Sequence, residues 1–99
     1  MLASWGMSDQ APGISFAGFV MSLATTAAVH FGDIPDPEGG TTAQDLDAAR
    51  QMIDILALLQ EKTRGNLTPD EADLVEKLLY ELRMRFVQAS SGEKRIIVP

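Results

Sequence analysis

The chain has 99 residues, a net charge of −6 and no cysteine. A chain of this length is one modest domain with little surface to bury, so its stability margin is small. The lack of cysteine excludes disulfides, zinc–thiolate sites and thiol nucleophiles, and it fits the reducing cytoplasm, where we expect this protein. The 14 acidic and 8 basic side chains argue against nucleic acid as a partner, because that binding depends on Lys and Arg.

Residues 1–13 are predicted to form a flexible N-terminal arm without an export signal. A secretory signal opens with basic residues, whereas the first basic residue of this chain is Arg50. We expect a single helical domain over 14–90 and a C-terminal tail over 91–99. The tail is compatible with either a docked strand or a frayed end.

The first predicted helix spans about 15–31. Ser15 is a suitable N-cap, and Gly32 suits the left-handed residue that ends many helices. The loop 33–40 follows, and its two prolines and two glycines break regular structure.

This first helix has no charged face, because His30 is the one ionisable residue between Asp9 and Asp33. A helix that is apolar on every side is normally buried. Its bulky side carries Phe16, Phe19, Val20, Leu23 and Phe31. Its opposite side carries mainly small or hydroxylated residues, which are Ala17, Gly18, Ser22, Ala24, Thr25 and Ala28, together with Met21 and Val29.

The second and third helices are predicted over about 42–64 and 69–89. Thr41 or Thr42 is expected to cap the second helix, and Thr68 and Glu71 form a capping box at the start of the third. The short connection between the two helices favours an antiparallel hairpin. One face of the third helix repeats charges at spacings of four and predicts an ion-pair ladder of Asp73, Lys77, Glu81 and Arg85.

The predicted fold class is all-α, with a central apolar helix packed against the antiparallel helical hairpin. Two helices cover the bulky side of the first helix and leave its small side as an apolar strip, which soluble monomers rarely expose. We therefore predict a homo-oligomeric bundle, with a two-fold dimer as the default. The predicted interface consists of Ala17, Gly18, Met21, Ser22, Thr25, Ala28, Val29, Met52, Ile55 and Leu59.

Three stretches of the chain resemble the uncharacterised bacterial family DUF1844, a domain of unknown function. They are FAGFVMSLATTAAVHFGDIPDP over 16–37, IDILALLQEKTRGNLTPDE over 53–71 and LLYELRMRF over 78–86. The phrase QEKTRGNLT within the second stretch is the most specific. The resemblance implies a short, helical, cytoplasmic bacterial protein, and it implies no activity, substrate or catalytic residue.

His30 and the acidic loop residues Asp33, Asp36 and Glu38 are the candidates for a metal or enzymatic site. For His30 we favour a structural role, such as capping its own helix, and for the acidic residues we favour turn chemistry. We expect no cofactor, no bound metal and no catalytic residue.

Two further groups are candidates for pairing or for contact with a protein partner. Asp54 lies near Arg50 on the helical wheel, so we favour a structural role at the edge of the polar face, and an ion pair with Arg83 of the neighbouring helix is the alternative. The turn between the second and third helices is equally compatible with a partner-binding corner, formed by Lys62, Arg64 and Asn66, and with a purely structural turn. Arg83 and Arg85 are also compatible with an acidic partner.

The favoured function is that of a non-enzymatic, self-associating protein that acts through protein–protein contacts, with itself as the first partner and another protein as a possible second. The first alternative is a membrane-associated protein that uses the uncharged helix 15–31. Its hydroxyl residues and its acidic flanks, without nearby Lys or Arg, argue against membrane insertion. The second alternative is a metal-dependent or other enzyme built around His30 and the acidic loop.

Overall fold

The computed structural model shows three packed α-helices joined by two loops. It describes residues 13–40 and 43–97, with side chains up to residue 91. The helices are α1 (Phe16–Phe31), α2 (Leu46–Lys62) and α3 (Pro69–Ile97), and the described ranges contain no strand. The predicted all-α class with three packed helices is confirmed. Apart from Gly13, the predicted N-terminal arm lies outside the described residues.

Both ends of α1 are fixed by the residues that the sequence indicated. Ser15 has an extended backbone, and its Oγ accepts a hydrogen bond of 3.0 Å from the backbone N–H of Gly18. At the other end Gly32 has a φ of +83°, and the N–H groups of Gly32 and Asp33 donate to the carbonyls of Val29 and Ala28. This pair of bonds is a Schellman motif, which satisfies the last carbonyls of a helix.

The start of α2 differs from the prediction. We expected the helix to begin at about residue 42, with Thr41 or Thr42 as its cap, but both threonines lie outside the described residues and α2 begins at Leu46. Asp45 is the N-cap, and its carboxylate accepts from the N–H of Ala48 at 3.1 Å. The Asp45 N–H donates to the His30 carbonyl at 2.7 Å. This bond ties the chain to the end of α1 in an extended path, which delays the start of α2.

The start of α3 is as predicted, whereas its end is not. The Thr68 N–H donates to Glu71 Oε1 at 2.9 Å, and the Glu71 N–H donates to Thr68 Oγ1 at 3.2 Å, which is the reciprocal capping box. We expected α3 to end near Ala89, but its backbone stays helical to Ile97. Ser90, Ser91 and Gly92 lower helix propensity by about 1 kcal/mol or less each, and no proline lies between them and Ile97 to stop the helix.

The core lies where the three helices meet, and each helix contributes three buried residues. These are Val20, Ala27 and Phe31 from α1, Ala49, Ile53 and Leu56 from α2, and Val75, Leu79 and Ala89 from α3. No polar or charged residue is buried within the described part of the chain. The core is therefore wholly apolar, and any polar chemistry of the described residues takes place at the surface.

Candidate interaction surfaces

The outward side of α1 forms an exposed, uncharged surface, here named the α1 strip. It consists of Ile14, Gly18, Met21, Ser22 and Thr25, which are all exposed. Ile14 is 87% exposed and Met21 is 46% exposed. Ser22 Oγ donates to the Phe19 carbonyl at 2.6 Å, so even this hydroxyl is bonded to its own helix.

The buried side of α1 is rotated relative to the prediction. Phe19 was assigned to the bulky core side but is 47% exposed, while Ala27 is fully buried. Residues at spacings of seven and four, here Val20, Ala27 and Phe31, lie on one line of a helix, and Phe19 lies about 100° away from Val20. Phe19 therefore borders the α1 strip and enlarges its apolar area.

The residues of the predicted interface divide into exposed and half-buried groups. Ala17, Gly18, Met21, Ser22, Thr25 and Ile55 are exposed, whereas Ala28, Val29, Met52 and Leu59 are half-buried. Met52 and Leu59 pack against the core of the same chain. The surface that is free to contact another molecule thus centres on the N-terminal half of α1, with Ile55 as the exposed member from α2.

His30 and part of the acidic loop border one shallow depression beside the C-terminal half of α1. Its lining includes Thr25, His30, Asp36 and Glu38. No group of three or more His, Cys, Asp or Glu residues that could hold a metal ion is found in the part of the chain described. His30 is half-buried, and its carbonyl accepts the hydrogen bond from Asp45. Through its backbone, His30 helps to position the start of α2.

The ion pairs predicted from helical spacing are not formed. The one pair within 4 Å among the described residues joins Arg85 of α3 to Asp33 of the loop. Neither the Asp54–Arg83 pair nor the ladder at spacings of four is present. Each step of four residues turns by about 40° around a helix, so the three steps from Asp73 to Arg85 place Arg85 about 120° away from Asp73. Arg85 therefore lies on the side of α3 that faces the end of α1.

The Arg85–Asp33 pair changes the ionisation of both groups. Hydrogen bonding from Arg85, reinforced by its charge, lowers the pKa of Asp33 below the usual 3.8, although partial burial opposes the shift. The hydrogen bond to Asp33 likewise raises the pKa of Arg85. Both side chains therefore stay charged at neutral pH.

A second surface runs between α2 and α3 and is named here the α2–α3 groove. It consists of three open depressions in a row. The middle depression shares Gln60 and Glu76 with its neighbour on one side, and it shares Arg83 and Val87 with its neighbour on the other side. Its principal lining residues are Arg50, Asp54, Gln60, Arg64, Glu76, Tyr80, Arg83, Met84 and Val87. Lys62, Arg64 and Asn66 of the predicted partner corner are exposed, and Arg64 forms one end of this groove.

The exposed apolar residues of the α2–α3 groove are not among the contact residues predicted from the sequence. Tyr80 is 66% exposed, Val87 is 57% exposed and Met84 is 46% exposed. Their spacings of four and three place them on one face of α3, away from the buried Val75 and Leu79. Apolar residues at helical spacing on the side opposite the core stripe were the signal in the sequence.

None of the helices in the described ranges has the length and apolar character to cross a membrane. The chain matches the model of the family described as a domain of unknown function (DUF1844) over residues 13–88. No curated protein and no solved structure matches it. The matched range covers more than half of the chain and contains all three stretches that carry the resemblance. The chain therefore belongs to the DUF1844 family.

Proposed function

We propose that this protein is a non-enzymatic, self-associating helical protein of the cytoplasm that acts through protein–protein contacts, as an adaptor, a regulator or a small structural subunit. The observation that carries the proposal is the α1 strip. It combines exposed apolar side chains with a complete lack of charge from Ile14 to Val29.

The packing of the chain explains why we expect the α1 strip to bind a partner. The core side of α1 is already covered by α2 and α3, so the chain has no further described helix to place over Gly18, Met21 and Ser22. Ile14 at one end of the strip and Phe19 at its border contribute large exposed apolar side chains. Contiguous exposed apolar surface of this kind usually marks an interaction site.

A second copy of the chain is the partner that suits the strip best. A surface without charges offers no ion pairs for selecting a charged partner, and it meets no unpaired charge when it faces itself. Closed two-fold dimers bring the same patch of both subunits together. Gly18 and Ser22 at the centre of the strip allow two helix backbones to approach closely.

A standard stable interface buries about 800 Å² on each partner, which is more than one face of a helix about 24 Å long supplies. We therefore include exposed Phe19 and Ile55 in the proposed interface. Both residues carry large apolar side chains, and Ile55 is 44% exposed.

The test is the substitution Ser22→Glu, which places one charge at the centre of the strip. Glu is a better helix former than Ser, so α1 itself should be retained. Gln88→Glu is the matched control, because Gln88 is exposed on α3 and gains the same charge on a helix that contributes no residue to the proposed interface. Light scattering coupled to gel filtration should show a lower mass for Ser22→Glu and an unchanged mass for Gln88→Glu.

Gly18→Leu is a second test of the α1 strip, but this substitution affects the helix cap as well as the surface. A Cβ at Gly18 would lie 3.1 Å from Ser15 Oγ, the oxygen that caps α1, so this change disturbs the cap as well as the strip. Circular dichroism therefore has to show full helicity before its mass is interpreted. Equal masses for wild type, Ser22→Glu and a fully helical Gly18→Leu would contradict the proposed interface.

A further inference from the structure

The α2–α3 groove has the dimensions of a site for one helix. On α3 it extends from Ala72 to Val87, a distance of about 22 Å at 1.5 Å per residue. This length accommodates about four turns of a partner helix. Its walls are two neighbouring helices, as in the grooves that bind amphipathic helices in other proteins.

The charges along the groove differ from those of the whole chain. Three arginines, Arg50, Arg64 and Arg83, line it together with two acids, Asp54 and Glu76. The chain as a whole has 14 acidic and 8 basic residues, so the groove is locally basic on an acidic protein. In the described ranges none of these three arginines has a carboxylate within 4 Å, which leaves their guanidinium groups available.

The apolar residues of the groove are of the kinds that dominate binding energy. Tyr and Arg are among the residues most enriched at energetically important interface positions, and Met is enriched at interfaces. Tyr80, Met84 and Val87 form an exposed stripe on α3, and Arg83 lies beside them in the same groove. An apolar stripe flanked by arginines that form no ion pair within the described ranges is complementary to a helix that has an apolar stripe and acidic flanks.

We propose that the α2–α3 groove binds an amphipathic helix of another protein, about four turns long, whose apolar side lies on Tyr80, Met84 and Val87. Its flanking carboxylates pair with Arg83 in the middle of the groove and with Arg50 and Arg64 towards its ends. Arginine binds carboxylates in a bidentate manner. The α1 strip of a second copy is a poorer occupant, because it carries no carboxylate for these arginines.

The probe is a synthetic helical peptide of about 16 residues with leucines along one face, glutamates on both flanks and a fluorescent label. A second peptide with every glutamate replaced by lysine is the control. The net charge of −6 favours the lysine peptide through general attraction, so a preference for the glutamate peptide reports a local feature. We expect the full-length protein to bind the glutamate peptide at least about tenfold more tightly by fluorescence anisotropy.

Charge reversal locates the site. Arg83→Glu should weaken binding of the glutamate peptide by about tenfold and should strengthen binding of the lysine peptide. Lys77→Glu is the matched control, since Lys77 is an exposed basic residue of α3 that does not line the groove, and it should change the affinity less than about twofold. The methyl resonances of Met84 and Val87 should shift when the glutamate peptide is added.

Three outcomes would overturn the proposal. They are equal binding of both peptides, equal effects of Arg83→Glu and Lys77→Glu, and binding that appears only after residues 1–12 are removed. The last result would mean that the chain's own N-terminus occupies the groove. Ser22→Glu separates this proposal from self-association, because that variant should keep wild-type affinity for the glutamate peptide whatever its mass.

Discussion

Arg85 and Asp33 are 52 positions apart in the sequence and form a two-point contact at the surface. Arg85 Nε donates to Asp33 Oδ2 at 2.9 Å, and Nη2 donates to Oδ1 at 2.6 Å. The same guanidinium lies 5.3 Å from the centre of the Phe31 ring, within the range of a cation–π contact. One side chain of α3 therefore holds both the end of α1 and the start of the loop.

Arg85→Lys is expected to destabilise the protein by about 0.5–1 kcal/mol, because lysine cannot donate the two parallel bonds that the guanidinium makes. Urea denaturation followed by circular dichroism measures the difference. Arg83→Lys is the matched control, since Arg83 has no ion pair among the described residues, and its effect on folding should be below about 0.3 kcal/mol. Equal losses from both substitutions would argue against the contact with Asp33.

The stability that Asp33 contributes should depend on pH. Its pKa is lower in the folded protein, mainly because Arg85 donates to the charged carboxylate, so its contribution is complete above the unfolded-state pKa of about 4. It is lost as the pH falls through the lower folded-state value. The difference in unfolding free energy between wild type and Asp33→Asn should be constant from about pH 5 to 7 and should shrink below about pH 4. A difference in unfolding free energy that grows as the pH falls would contradict the lowered pKa of Asp33 in the folded protein.

Leu56→Ala and Leu58→Ala should differ strongly although the two residues lie on the same helix. Leu56 is fully buried, whereas Leu58 is 54% exposed. Removing the Leu56 side chain leaves a cavity and should cost about 2–5 kcal/mol, while the change at Leu58 should cost less than about 0.5 kcal/mol. Thermal and urea denaturation measure both, and a larger loss at Leu58 would mean that α2 is rotated in the bundle.

Thr68→Ala and Thr26→Ala should have opposite effects on stability. Thr68 Oγ1 accepts from the Glu71 N–H at the start of α3, and loss of such a cap costs about 1 kcal/mol. Thr26 Oγ1 donates to the Ser22 carbonyl within α1, where alanine is the better helix former by a few tenths of a kcal/mol. Urea denaturation measures both changes. If the wild type self-associates, both substitutions are compared in the Ser22→Glu background, so that dimer formation does not add to the unfolding free energy. A stabilising Thr68→Ala would contradict the capping box.

The features that the sequence predicted correctly are those that depend on a few neighbouring residues. The caps at Ser15, Gly32 and Thr68 need only a hydroxyl or a glycine at the right position, and all three are present. The lack of a charged face on α1 likewise follows from the residues of that segment alone. Local chemistry of this kind can be read without knowledge of the partners in space.

The features that the sequence did not predict depend on distant parts of the chain. The start of α2 is set by the hydrogen bond from the Asp45 N–H to the His30 carbonyl. Arg85 pairs with Asp33 of the loop and not with Glu81 of its own helix. The α2–α3 groove exists only because two helices lie side by side, so neither wall alone indicates it. Which side of α1 packs against the hairpin decides that Phe19 is exposed and Ala27 is buried.

The most direct test of the central claim is the mass of the purified, full-length protein in solution, measured by sedimentation equilibrium without detergent over a range of concentrations. Self-association through the α1 strip predicts a dimer, with twice the chain mass of 10.7 kDa. At about 100 μM even a weak interface with a Kd of about 1 μM would be mostly formed. A constant mass of one chain at every concentration up to that value would therefore contradict self-association through the α1 strip.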